Sequence, residues 1–193
     1  MPTIRESLQV LKDGGLIGFP TDTVYGIGVD ASNISALTKL YELKNRAPSK
    51  PLILFIKSKT ELNKYVSEIP ALANKLIDNF WPGPLTIIFK SNPASPIYGS
   101  NLTIGIRIPN YEPILIILKC YEHPLATTSA NLEGTPAPIS DIGMNIKPDF
   151  LFPGRSGTGI QSTIIDITAF YPIIVREGGI KKSEIEEVIG LSL

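Results

Sequence analysis

Apolar positions along the chain fall into helical and strand rhythms that alternate. Ile4, Leu8 and Leu11 recur at helical spacing, and Gly14-Gly15 follow where a C-terminal cap belongs, which predicts a first helix ending there. "LIGFP" then reads as a short buried strand. Ser32 or Asn33 is placed to cap a second helix carrying Leu37, Leu40 and Tyr41. The runs "LILFI" (Leu52 to Ile56), "LTIIF" (Leu85 to Phe89), "TIGIRI" (Thr103 to Ile108), "LATTS", "STIIDI" and "PIIVRE" are short, apolar or β-branched, and bounded by Pro, Gly or Asn. They predict six or seven strands in all.

Helical patterns around Ala71 to Phe80, Glu112 to Cys120 and Ser183 to Val188 lie between these runs, so the order is mixed α/β with no internal repeat. Of the 17 prolines, six pair up in "NPASP", "GTPAP" and "WPGP", between apolar runs, as rigid loops do and as linkers do not. A length of 193 residues suits one substantial core, and the expectation is a single domain over residues 1–193.

Composition changes this picture little but excludes several partners. Eighteen Lys and Arg balance 18 Asp and Glu, so no global field draws in a polyanion, and nucleic-acid contact would need a local patch. Cys120 has no second cysteine to pair with, which fits a reducing cytosol; its place in "PILIILKCY" predicts a buried, inert thiol. The longest apolar run, Ile114 to Leu118, is far too short to span a bilayer, and no signal peptide is visible. A cytoplasmic protein without a membrane role is expected.

Two glycine patterns invite nucleotide readings that fail on spacing. Gly26, Gly28 and Ala31 satisfy G-x-G-x-x-A after a strand, but the position where a ribose-binding acid is wanted holds Arg46. "GRSGTGIQST", Gly154 to Thr163, has glycines at P-loop separation but Ile160 where the lysine should be. Its glycines suit a mobile loop approaching a ligand, or a plain surface turn; Ser162 is the residue of interest.

The cations are more informative. "KNRAPSKP" brings Lys44, Arg46 and Lys50 onto one loop, either as a phosphate-binding group or as a solvated basic turn. "TTSAN", Thr127 to Asn131, ends a predicted strand. In "TIGIRIP" Thr103 and Arg107 lie four apart and so on one face of a strand. An arginine in an apolar strand requires an anion, either a carboxylate ligand or an internal salt-bridge partner. Arg176 in "PIIVREGG" repeats the pattern beside flexible glycines. With one histidine, His123 in a loop, there is no Ser-His-Asp set, and neither HExxH nor a cysteine-rich metal motif occurs. Cations, hydroxyls and amides suit a reaction run by positioning and charge stabilisation, such as transfer at a nucleotide phosphate.

Taken together, "PTDTVYGIG", "KNRAPSKPL", "WPGPLT", "IRIP", "TSAN", "STIID" and "VREG" resemble the YrdC family of threonylcarbamoyl-AMP synthases, in the family's order and from about Gly15 to Gly179. The resemblance implies a twisted, largely open mixed α/β sheet flanked by helices, with a concave, positively charged cavity. It implies an enzyme that joins L-threonine, bicarbonate and ATP, with Mg2+ carried by the nucleotide, into threonylcarbamoyl-AMP and pyrophosphate. The product serves modification of the tRNA adenosine next to the anticodon, so a tRNA-modifying transferase is an expected partner and a tRNA contact is possible.

By the same resemblance Thr23, Phe55, Arg107, Thr127 and Ser162 surround threonine, with Arg107 on its carboxylate, Tyr25 as a packing wall and Asp22 at a position usually acidic. Arg46, Lys50, Thr103, Ser129, Asn131, Ala137 and Arg176 surround ATP, and Lys44, Arg46, Ser129 and Asn131 are the catalytic set. Longer relatives carry a C-terminal domain that helps cover the cavity; this chain resembles the short form, in which "GRSGTGIQS" acts as the lid. The rival expectations are an RNA-binding module without catalysis and a carbamoyl-transfer relative.

Overall fold

The computed structural model describes residues 2–47, 49–95, 102–132, 134–142 and 144–193; Pro48 of "KNRAPSKP" and Pro96 of "NPASP" lie outside them. The elements in chain order are α1 (Pro2–Lys12), β1 (Ile17–Phe19), β2 (Gly26–Asp30), α2 (Ile34–Leu43), β3 (Ile53–Phe55), a 3-10 turn (Lys59–Glu61) and α3 (Leu62–Tyr65). They continue with α4 (Ala71–Phe80), β4 (Leu85–Lys90), β5 (Thr103–Arg107), α5 (Glu112–Tyr121), β6 (Leu125–Ser129), β7 (Phe150–Leu151), β8 (Thr163–Asp166), β9 (Ile173–Arg176) and α6 (Lys182–Ile189). The helix boundaries follow the local signals: Gly14 takes φ 73° just past α1, and Asn33 rather than Ser32 caps α2, its Oδ1 accepting from the Ala36 amide at 3.0 Å.

The strands form one nine-stranded mixed sheet in the order β7-β1-β2-β6-β3-β5-β4-β8-β9. The sequence patterns miss two of them. Strand β2 is built on the glycines of "GIGVD": a Cβ at Gly26 or Gly28 would come within 3.0 to 3.2 Å of the Phe19 ring, so their spacing serves the packing of Phe19 across the β1–β2 pair. Strand β7 is only two residues long and pairs in parallel with β1, which no local pattern announces.

Two apolar clusters lie on opposite faces of the sheet. The larger gathers Leu37 and Leu40 of α2, Leu76 and Ile77 of α4 and Ile185 of α6 against Ile27, Leu54, Ile106 and Ile87. The smaller packs Leu11 of α1 and Ile114, Ile117 and Leu118 of α5 against Phe19, Phe55 and Leu125. The second face is open beyond α1 and α5, and the period of two sends chosen side chains there. In β5 Ile104 and Ile106 join the larger core, while Thr103, Gly105 and Arg107 turn to the opposite side. In β3 Leu54 faces the core and Ile53 and Phe55 turn away; in β4 Leu85 and Ile87 face it and Thr86 and Ile88 turn away.

Cys120 sits at the exposed end of α5, not in its buried face, because Ile114, Ile117, Leu118 and Tyr121 define that face. His123 lies, as expected, in the following loop, against the Tyr121 ring at 5.3 Å. Among the described residues no helix is long and apolar enough to cross a membrane.

Candidate functional site

A cavity of about 360 Å³ opens on the uncovered face, floored by the contiguous strands β6, β3, β5, β4 and β8. Eleven of the residues singled out from the sequence line it: Thr23, Lys44, Arg46, Phe55, Thr103, Arg107, Thr127, Ser129, Asn131, Ser162 and Arg176. Lys50 and Ala137 are not among the lining residues. The Lys50 carbonyl instead accepts from the Tyr41 hydroxyl at 3.0 Å and Arg46 Nε at 3.5 Å, which fixes the loop that carries Arg46. Tyr25 is no wall of the cavity either: it is fully buried in the larger core, and its hydroxyl donates to the Phe152 carbonyl.

One end of the cavity is organised around Lys44. Helix α2 ends at Lys44, Asn45 takes a left-handed φ of 49°, and the turn delivers Lys44 and Arg46 to the same cavity. Asparagine tolerates that conformation better than most residues. Lys44 is 2% exposed, and its Nζ donates to the Ser129 carbonyl at 2.5 Å and to Asn131 Oδ1 at 3.3 Å. Burial first, and the Arg46 charge second, pull its amine down to about 8.

Asn131 has no capacity left for a ligand. Its Oδ1 also accepts from the Ser129 hydroxyl at 2.5 Å, and its Nδ2 donates to the carbonyls of Leu132 and Thr135 at 3.0 and 2.6 Å. It therefore acts on Lys44 and Ser129 as a positioning residue. Arg176 enters the cavity from β9, on the side of Ser162 and Arg107, its guanidinium anchored on the Ser162 carbonyl at 2.8 and 3.1 Å, on the Ser162 hydroxyl at 3.2 Å and on Gln161 Oε1. Arg46 is held by the Pro51 carbonyl at 2.9 Å. Burial lowers the pKa of both arginines. Among the described residues none of Lys44, Arg46 and Arg176 pairs with a carboxylate, so three cations are left for an anion to balance.

The other end is different. Arg107 is 3% exposed and reaches Asp22 Oδ1 through NH2 at 2.6 Å, the Thr23 hydroxyl through NH1 at 3.1 Å and the Gly83 carbonyl through Nε at 2.9 Å. The internal partner left open by the sequence is thus Asp22, and "WPGP" serves to aim the Gly83 carbonyl. Burial pulls the Arg107 pKa down and Asp22 opposes the fall. Around it stand hydroxyls already tied to one another: Thr21 to Thr23 at 2.9 Å, Thr86 to Ser162 at 2.9 Å, and Thr127 to the Ile53 carbonyl at 2.8 Å. Thr86 reaches this space through the pleat of β4, and Thr21 and Gln161 through loops folded against it, so no local pattern marks them as lining residues.

The segment "GRSGTGIQS" is laced to "PTDT" and does not stand free. The amides of Gly157, Thr158 and Gly159 donate to the carbonyls of Thr21, Asp22 and Thr23 at 2.8, 3.2 and 2.9 Å. A Cβ at Gly157 would sit 2.5 Å from the Asp22 carbonyl oxygen, so the glycine is required by backbone approach.

Residues 9–178 match the sequence model of the Sua5, YciO and YrdC proteins, described as "Telomere recombination". The chain belongs to this family. It is 37% identical over 196 residues to the threonylcarbamoyl-AMP synthase of Pyrococcus abyssi, covering 97% of this chain and 57% of that protein. It is 40% identical over 183 residues to a putative threonylcarbamoyl-AMP synthase of Methanocaldococcus jannaschii, covering 90% and 86%. The structure of P. abyssi Sua5 complexed with L-threonine superimposes with a TM-score of 0.88 at 36% identity, over 97% of this chain and 57% of that one. The chain thus spans 57% of the length of the Sua5-type relatives from P. abyssi and Bacillus subtilis.

Proposed function

We propose that this chain, as one domain over residues 1–193, is an L-threonylcarbamoyladenylate synthase of the cytoplasm that supplies the threonylcarbamoyl group for modification of tRNA. The observation that carries the reading is one cavity lined by three cations that have no carboxylate partner among the described residues and by an arginine paired with Asp22 among hydroxyls. That combination suits a nucleotide triphosphate and a small zwitterion held side by side. In this reading Lys44, Arg46 and Arg176 hold the phosphates, with Thr103 and Ser129 toward the nucleoside. Thr23, Arg107, Thr127 and Ser162 enclose threonine, with Phe55 beneath it.

The threonine ammonium first loses a proton to solvent; the free amine then adds to CO2 released from bicarbonate along with hydroxide, and that hydroxide takes the second N–H proton, leaving a carbamate and water. A carbamate oxygen then attacks the α-phosphorus, the bond to the bridging oxygen of the β-phosphate breaks, and pyrophosphate leaves with its electron pair. Magnesium enters as part of the nucleotide substrate; among the described residues no carboxylate lines the cavity. The protein's share is to fix the two reactants in line and to balance charge on the leaving group. Positioning of this kind is worth about 7–11 kcal/mol in well-oriented cases, so no protein base is needed. A transferase that consumes the product, with tRNA as final acceptor, is the partner this chemistry requires.

The test is pyrophosphate release by the purified chain with ATP, magnesium and bicarbonate, comparing L-threonine, L-serine and no amino acid. Threonine-dependent release is expected. Absence of release in all three, with tRNA still bound, would replace this reading by that of an RNA-binding module.

A further inference from the structure

The carboxylate behind the cavity wall offsets the charge of one cation that lines it. Of the four cations that line the cavity, Arg107 alone has an acidic partner among the described residues. Asp22 does not itself line the cavity; Thr21 and Thr23 on either side of it do. Its side chain is 14% exposed and that of Arg107 4%, so the pair at 2.6 Å is screened little by water. Asp22 Oδ1 takes the arginine, and Oδ2 is buried with no hydrogen-bond partner. The carboxylate is therefore spent on one cation and is not spread over a network.

We infer that Asp22 is a specificity-determining positioning residue, which neutralises Arg107 so that the amino-acid end of the cavity selects a zwitterion over an anion. This rests on the reading of that end as the threonine site. An unpaired Arg107 would stand near Arg176 as a second cation without an acidic partner among the described residues, and this part of the cavity would then favour ligands of net negative charge. With Asp22 in place, the guanidinium still presents N–H groups to a carboxylate. Its net charge, however, no longer repels the ammonium group that must enter alongside. The backbone bonds from Thr158 and Gly159 to the carbonyls of Asp22 and Thr23 hold this arrangement rigid.

The experiment compares binding of two probes by calorimetry without nucleotide: L-threonine, and (R)-3-hydroxybutyrate, the same skeleton without the ammonium group. The wild-type chain should bind threonine more tightly. In Asp22→Asn the ratio of the hydroxybutyrate Kd to the threonine Kd should fall at least tenfold, and Asp22→Glu, which keeps the charge, should restore it. Arg107→Gln, which leaves the carboxylate unbalanced, should move the ratio the other way, and this reads the idea independently if Asp22→Asn does not fold. A purely structural role would weaken both probes alike. An unchanged ratio in a folded Asp22→Asn, or in Arg107→Gln, overturns the inference while the functional reading stands. Failure of the wild-type chain to bind threonine overturns both.

Discussion

The ammonium group of Lys44 is buried with no carboxylate partner among the described residues, and its cost should be readable as a pH dependence of stability. In the unfolded chain this lysine stays charged up to about pH 10.5, but in the fold only up to about 8. Between those values the unfolded chain binds more protons, so the stability of the ligand-free protein should rise with pH across that window. At about 1.4 kcal/mol per unit, the buried charge costs about 3 kcal/mol at pH 7, and most of this is recovered by pH 10. Lys44→Met keeps a similar volume and removes the charge. The stability of the variant relative to wild type should therefore decline by about 2–3 kcal/mol from pH 7 to pH 10. Loss of the donor to the Ser129 carbonyl and Asn131 Oδ1 subtracts about 1–3 kcal/mol at every pH, so the slope and not the offset carries the prediction. Urea unfolding of both proteins at pH 7, 8, 9 and 10 measures it. Parallel stability curves would refute the account of Lys44 as an uncompensated buried cation.

Three further outcomes follow from the geometry. Asn131→Ala should lower kcat/KM for ATP about tenfold or more by releasing Lys44 and Ser129, as loss of one hydrogen bond to a charged group implies; steady-state kinetics showing no change would remove its positioning role. Gly157→Ala forces a Cβ to 2.5 Å from the Asp22 carbonyl oxygen and should destabilise the protein by about 1–3 kcal/mol, seen as a lower Tm. Gly105 has room for a Cβ, with Thr86 Cγ2 at 3.5 Å and Ile88 Cγ1 at 3.9 Å. Gly105→Ala should leave folding intact or raise stability by about 0.5–1 kcal/mol, whereas Gly105→Leu should fill the cavity and abolish ligand binding in a folded protein, checked by unfolding and calorimetry.

Much of the secondary structure was written in local patterns. Helix α4 runs over the predicted Ala71–Phe80, and the strand of "TIGIRI" carries Thr103 and Arg107 on one face as the period of two requires. These signals are local, so a linear reading finds them. Strand β2 was hidden because its glycines answer to Phe19 across a strand pair, and β7 because two residues carry no period. The exposure of Cys120 was misread for a related reason: an almost wholly apolar helix does not say which of its faces the sheet will cover.

The same division runs through the candidate site. The sequence by itself determined the chemical inventory, cations in "KNR", "IRIP" and "VRE" with hydroxyls in "PTDT" and "TTSAN", and the resemblance that orders them. Only the tertiary structure decided their states. It paired Arg107 with Asp22 across 85 positions, set Lys44 on the carbonyl of Ser129 85 positions away, and used up Asn131 in holding Lys44 and Ser129. Charge pairing depends on which side chains meet and on how much water remains between them, and neither is a property of a linear segment.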